Sequence, residues 1–201
     1  MMRAVLTKSY SAPELKRDEI FRYMRVKNPD SDLERLVNEC LSEALAEISY
    51  KVCYTELPIR HMGACIDLSF TKTESCSLSH ALSGCASIVL FAATLGVGAD
   101  RLIMRYSSRN PARALILDAI FTERIEALCD AFCSDIKAEK AKEGKKTCPR
   151  FSAGYGDFPL EAQRAVFAAL SPEKHIGLSL SETLLMTPTK SVTALIGIAV
   201  K

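Results

Sequence analysis

The residues richest in chemistry are the run Arg150-Phe151-Ser152-Ala153-Gly154-Tyr155-Gly156-Asp157-Phe158-Pro159-Leu160. Arg150 offers a planar fork of donors that matches a carboxylate. Gly154 and Gly156 allow left-handed backbone angles and a close approach to a ligand. Asp157 precedes Pro159 as a cap precedes a proline at the first helical position. The run reads either as a Gly-rich turn into a helix or as a ligand-binding loop, and spacing alone leaves both open.

Other reactive residue types gather less. The eight cysteines are scattered and form no Cys-x-x-Cys pair, the pattern of small buried hydrophobes in a reducing compartment. Cys129 and Cys133 stand one helical turn apart, but no nearby His or Cys completes a zinc set. His61, His80 and His175 are isolated, and His175 reads as the cap of a helix-to-strand turn. Gly96-Val97-Gly98 falls between a strand-like and a helix-like segment. It reads as a nucleotide loop lacking its third glycine, or as a tight turn capped by Asp100. No Ser/His/Asp or Cys/His constellation is in view.

Arg150-x-x-x-Gly154-Tyr155 ahead of a Pro-containing helix start resembles the S-adenosylmethionine-binding loop of the activation (reactivation) domain of vitamin B12-dependent methionine synthase. A second block, Leu180 to Pro188 followed by Lys190-Ser191-Val192-Thr193, is similar to a later run of that domain, in the same order and at similar spacing. The resemblance is clear from Ala114 to Gly197 and loose before it. It implies that Arg150 meets the ligand's carboxylate, that Ala153, Gly154 and Tyr155 supply close backbone, with Tyr155 near the methyl donor, and that Glu126 is the helical acid. It further implies a stand-alone reactivation protein that binds S-adenosylmethionine and docks on a separate cobalamin-binding methionine synthase or other corrinoid protein. The electron donor would be a flavodoxin or ferredoxin. Two features depart from the family: the chain has no tryptophan, and Ile196 and Gly197 stand where the family has an aromatic pair. Cobalamin would come only through the partner, because no Asp-x-His-x-x-Gly occurs here. Loss of the methyl donor would leave a docking module for corrinoid proteins. The remaining alternative is a methyltransferase built on Gly96 and Gly98.

The elements that must position these residues follow from pattern. Ser11-Ala12-Pro13-Glu14 reads as the start of a helix running to about Arg25. Ser31-x-x-Glu34 reads as a capping box for a helix whose stripe is Leu33, Leu36, Val37, Cys40, Leu41, Ala44, Leu45 and Ile48. Tyr50 to Leu57 and the alternating Ile66, Leu68 and Phe70 read as strands, Ser75 to Gly84 as a short helix. Ala86 to Ala93 reads as a strand buried on both faces, with a buried helix as the alternative. Asn110-Pro111 opens the longest helix, with Leu115, Ile120, Ile125, Leu128, Cys129, Phe132 and Ile136 inward. Gly144 and Pro149 mark its end and a loop to Arg150. A helix from Pro159 to Leu170, with Leu160 inward, and strands over Leu178–Leu185 and Thr193–Val200 complete the chain. The irregular order predicts an α+β fold with a twisted antiparallel or mixed sheet and several helices. One domain is expected over 1–201: a helical N-terminal portion, 1–58, and a core, 59–201, that carries the loop.

Composition fits a cytoplasmic globular protein, 48% hydrophobic and 25% charged. A formal net charge of +2 does not call for nucleic acid. The run Lys137 to Arg150 has six basic and two acidic residues, a solvated surface or a docking patch for an acidic partner. The longest near-apolar run, Ala86 to Gly98, is 13 residues, short of the roughly 20 that span a membrane. The N-terminus lacks the apolar core of a signal peptide.

Overall fold

The computed structural model describes residues 4–200. Its elements run β1 (Leu6–Tyr10), α1 (Arg17–Tyr23), α2 (Ser31–Glu47), β2 (Tyr50–Pro58), β3 (Arg60–Met62), β4 (Cys65–Asp67), β5 (Lys72–Thr73), α3 (Cys76–Ala81) and β6 (Cys85–Thr94). Then come α4 (Val97–Ser107), α5 (Pro111–Lys142), β7 (Lys145–Phe151), α6 (Ala162–Leu170), α7 (Pro172–Ile176), β8 (Ser179–Leu180), β9 (Met186–Thr187) and β10 (Ser191–Val200). The main sheet has the order β1-β2-β6-β10-β7, with every neighbouring pair antiparallel. β3-β4-β5 and β8-β9 form two small sheets.

β6 explains the layering. It lacks polar alternation because both its faces are covered. Val89, Phe91 and Ala93 join the core shared with α1, α2, α4 and α5, while Ile88, Leu90 and Ala92 join the core shared with α3, α6 and α7. The result is an α+β fold in three layers. α5, 32 residues and about 48 Å long, lies along the first face with Phe132 against Phe91 and Tyr54. Among the described residues no helix is long and apolar enough to cross a membrane.

Where local pattern and structure differ, tertiary partners decide. The helix expected from Ser11 begins only at Arg17. Residues 11–16 instead lie across α5, because Arg124 donates to the carbonyls of Pro13 (2.7 Å) and Glu14 (2.8 Å) and the Lys16 amide donates to Glu123 (3.1 Å). Backbone groups that a helix would pair internally are thereby used elsewhere. Glu123 and Arg124 also pair bidentately with each other and are 2% and 1% exposed. α2 is capped by Asp30, which accepts from the Leu33 amide, and not by Ser31. The alternation at Ile66, Leu68 and Phe70 is cut short by a turn at Ser69 (φ +69°), although Ile66 and Leu68 are buried as expected. Leu178–Leu185 is a hairpin arm and loop, with β8 paired to β9. Leu45, Leu115 and Leu160 face solvent. The N-terminal portion supplies the expected strand as β2 and also a strand that pattern did not show, β1, to the edge of the sheet.

Arg124→Met is expected to strand the buried Glu123 carboxylate and lower the unfolding free energy by about 3–5 kcal/mol. Urea denaturation measures this, and adding Glu123→Leu should restore part of the loss. An unchanged midpoint in the single variant would refute the role given to the pair.

Candidate functional site

After α5 the chain reverses at Gly144 (φ +73°) and returns as β7, so Arg150 lies on an edge strand and not in the expected loop. Pro149 is tolerated there because the β7–β10 ladder is interrupted between Ile196 and Ile198, and an edge strand need not donate at every residue. Arg150 pairs in register with Ile196, whose side chain belongs to the core beneath α5, and this register turns the guanidinium toward that helix. Its Nη2 donates to Glu126 Oε2, and its Nη1 lies 3.5 Å from Asp130 Oδ1. Glu126 and Asp130 are one turn apart on α5, which places both carboxylates on one face. Asp130 also meets Lys16 Nζ at 3.3 Å.

The Nη1 atom of Arg150 is buried and has no hydrogen-bond partner. Burial works against the guanidinium's charge, but Cys129, Glu126 and Asp130 work for it, and its pKa lies above the ordinary value. A permanent cation with an unused buried donor, beside two carboxylates, is suited to an anion that accepts from Nη1. Clefts of about 280 Å³ open on either side of this group. Arg150, Ser134 and Lys137 line one, while Glu126, Asp130, Glu19 and Tyr23 line the other.

The loop beyond Arg150 is held at both ends. Phe158 is buried in the core under α6. Gly154 and Gly156 have φ of +90° and +56°, the left-handed angles expected of them. The Gly154 amide donates to the Phe158 carbonyl (2.9 Å), and the Tyr155 amide to the Ser152 carbonyl (3.2 Å). Those two amides are therefore engaged inside the loop. Its internal bonds use the carbonyls of Ser152, Tyr155 and Phe158 and leave aside those of Ala153 and Gly154. Tyr155 projects, 61% exposed, with its ring edge against Phe151. Asp157 does not cap its own following helix. Its carboxylate accepts from Ser75 Oγ (2.5 Å) and from the amides of Cys76 (2.7 Å) and Ser77 (3.0 Å) at the start of α3. Gly156 fits because a Cβ there would lie 2.5 Å from Ser77 Oγ.

The structure thus brings Arg150 and Glu126 into contact and sets Ala153, Gly154 and Tyr155 on the adjoining loop. Sequence reasoning passed over Asp130, whose i+4 spacing from Glu126 was the available signal. The second block secures the neighbouring end of β10. Lys190 Nζ bonds Asp118 (2.7 Å) and Thr122 (2.9 Å) on α5, and Ser191 Oγ donates to Thr94 Oγ1 (2.8 Å). Gly96-Val97-Gly98 has a packing role. A Cβ at Gly98 would lie 1.8 Å from the Glu47 carbonyl oxygen, so the glycine lets α4 cross the end of α2. Asp100 does not cap that turn but receives the Thr189 amide and hydroxyl from across the fold. The turn after α7 is made by Gly177 (φ +71°) and not by His175. Within the basic run, Lys140 pairs with Glu56 and Glu143, and Lys145 with Glu143.

No protein-family model and no curated protein matches the chain. Among solved structures it is similar to the crystal structure of the MetH reactivation domain bound to AdoHcy, with a TM-score of 0.71 and 18% identity. The match covers 96% of this chain and 78% of that one. The two share the α+β fold; at that identity the likeness is one of fold.

The bonds from Ser75, Cys76 and Ser77 hold the Asp157 carboxyl well below the ordinary aspartate range. A lowered folded-state pKa contributes stability that is complete above about pH 5 and is lost progressively as pH falls from there through the lowered value. Carboxyl NMR titration should find Asp157 still ionised where a free aspartate, with pKa about 3.9, is half protonated. Asp157→Asn should speed hydrogen exchange at the Cys76 and Ser77 amides.

Proposed function

We propose that this protein binds S-adenosylmethionine across the Arg150–Glu126–Asp130 group and presents it to a cobalamin-binding methionine synthase or another corrinoid protein. The observation that carries the reading is the pairing of Arg150 with two α5 carboxylates beside the Tyr155 loop, in a fold whose solved neighbour was crystallised with AdoHcy.

The donor set fits the amino-acid end of such a ligand. That end is a zwitterion, with carboxylate and ammonium on one carbon. Its carboxylate takes the guanidinium fork, including the orphan Nη1, and Glu126 and Asp130 turn to the ammonium. The site keeps its charge balance because the incoming pair replaces each partner with one of the same sign. Tyr155 stands at the exposed tip of the loop, and its ring offers the sulfonium an electron-rich face. When bound, S-adenosylmethionine supplies the methyl group that returns the partner's reduced corrinoid to its methylated state. The chain's own contribution is orientation, so it needs no acid, base or nucleophile. Ile196 lies beside Arg150 and Gly197 faces the opposite layer, so neither provides the aromatic contact found in the family. Reduction falls to an external flavodoxin or ferredoxin.

Calorimetric titration with S-adenosylmethionine tests the reading. Saturable binding is expected, weakened by about one to two orders of magnitude in Arg150→Ala, as befits a lost charge-assisted hydrogen bond. Glu126→Gln should weaken binding less, since Asp130 remains. If the wild-type protein shows no binding, or Arg150→Ala binds as well as wild type, the site is wrongly assigned.

A further inference from the structure

We propose that Cys85 and Cys148 are a redox-sensitive thiol pair, and that their oxidation to a disulfide bends β7 and displaces Arg150. Cys85 begins β6 and Cys148 lies in β7, on the two sides of β10. Both side chains lean over β10, and their sulfurs are 3.5 Å apart. Gly197 makes this approach possible. A Cβ there would lie 2.7 Å from Cys85 Sγ and 3.4 Å from Cys148 Cβ, so any other residue would drive a side chain between the sulfurs.

The two thiols are unlike. Cys148 is partly exposed and belongs to the same cleft wall as Arg150, whereas Cys85 is buried. Burial, with the hydrogen bond to Cys148, pushes the Cys85 thiol up to about 12. Cys148 is therefore the thiol that meets an oxidant, and Cys85 the one that resolves the product. Hydrogen peroxide supplies the oxidising equivalents. Cys148 takes one oxygen from peroxide to become a sulfenic acid, and water leaves. The Cys85 sulfur then attacks the sulfenyl sulfur, the S–O bond breaks as S–S forms, and the Cys85 proton leaves with the hydroxyl as a second water. Proximity offsets the low thiolate fraction of Cys85.

Forming the bond draws the sulfurs from 3.5 Å to about 2.05 Å and pulls together the strands that carry them. β7 is the strand able to move. It is an edge strand, and its ladder with β10 has no partner for Gly197, the residue over which the sulfurs meet. Arg150 lies two residues beyond Cys148, so the same movement separates the guanidinium from Glu126 and Asp130. A disulfide with one sulfur reachable from solvent is open to reduction again, as a switch requires.

The test is titration of the dilute reduced protein with hydrogen peroxide, followed by peptide mapping without reductant. The expected product is a peptide linking Cys85 to Cys148, absent in Cys148→Ser and lost on treatment with dithiothreitol. If the exposed Cys76 is oxidised while Cys85 and Cys148 stay unlinked, the proposal fails. The consequence for ligand binding rests on the proposed function: S-adenosylmethionine affinity should fall at least tenfold in the oxidised protein and return on reduction. Unchanged affinity in the linked protein would overturn the displacement of Arg150. The two readings fail separately, because linkage is read by mass in any case and ligand binding by the reduced protein alone.

Discussion

A guanidinium almost wholly withdrawn from water must find acceptors for its donors, and Arg124 finds them in Glu123 and in two backbone carbonyls of the segment before α1. Desolvating this pair is costly, and only near-complete hydrogen bonding offsets it. The segment is consequently fixed across α5 in extended form. That placement carries Lys16, Glu19 and Tyr23 to the face of α5 that bears Glu126 and Asp130, and so makes one wall of a cleft. The second cleft depends on the register of β7 with β10, which aims Arg150 at the same two acids. Two unrelated constraints, one polar and one a matter of sheet pairing, converge on a single turn of α5.

The electrostatics there suit the exchange of partners proposed above. Arg150 and its acids are partly exposed, so their mutual attraction is screened and contributes little to stability. Arg150 Nη1 lies 3.5 Å from Asp130 without a good hydrogen bond to it, which leaves donor capacity that the proposed ligand would take up. The neighbouring loop is built the other way. The amides of Gly154, Tyr155 and Phe158, the Asp157 carboxylate and the Phe158 ring are committed to hydrogen bonds or to packing, and these contacts hold the loop beneath an exposed tyrosine. The supporting frame is thus closed, and the groups that face outward are those with capacity to spare.

Much of the fold was legible because local chemistry and tertiary need agreed. The unbroken apolar run of β6, the Asn110-Pro111 start of α5 and the left-handed glycines of the loop appear where pattern placed them. Reading failed where a distant partner competed with a local rule. Asp157, placed like a cap for its own helix, caps α3 instead. Gly98 looked like half of a nucleotide loop, but the backbone of α2 occupies the space beside it.

The sequence by itself determined which residues can bear charge, turn the chain or fill a core, since those properties belong to single side chains and short spacings. It therefore pointed to Arg150, Ala153, Gly154 and Tyr155 and, through resemblance, to Glu126. Only the tertiary structure decided that Arg150 meets Asp130 as well as Glu126, which amides of the loop are already engaged, and that Cys85 and Cys148 meet over Gly197. Those outcomes depend on strand register and on how a helix lies across a sheet. A shift of one residue in a strand turns every side chain to the opposite face, and no local spacing records which register the assembled core will select.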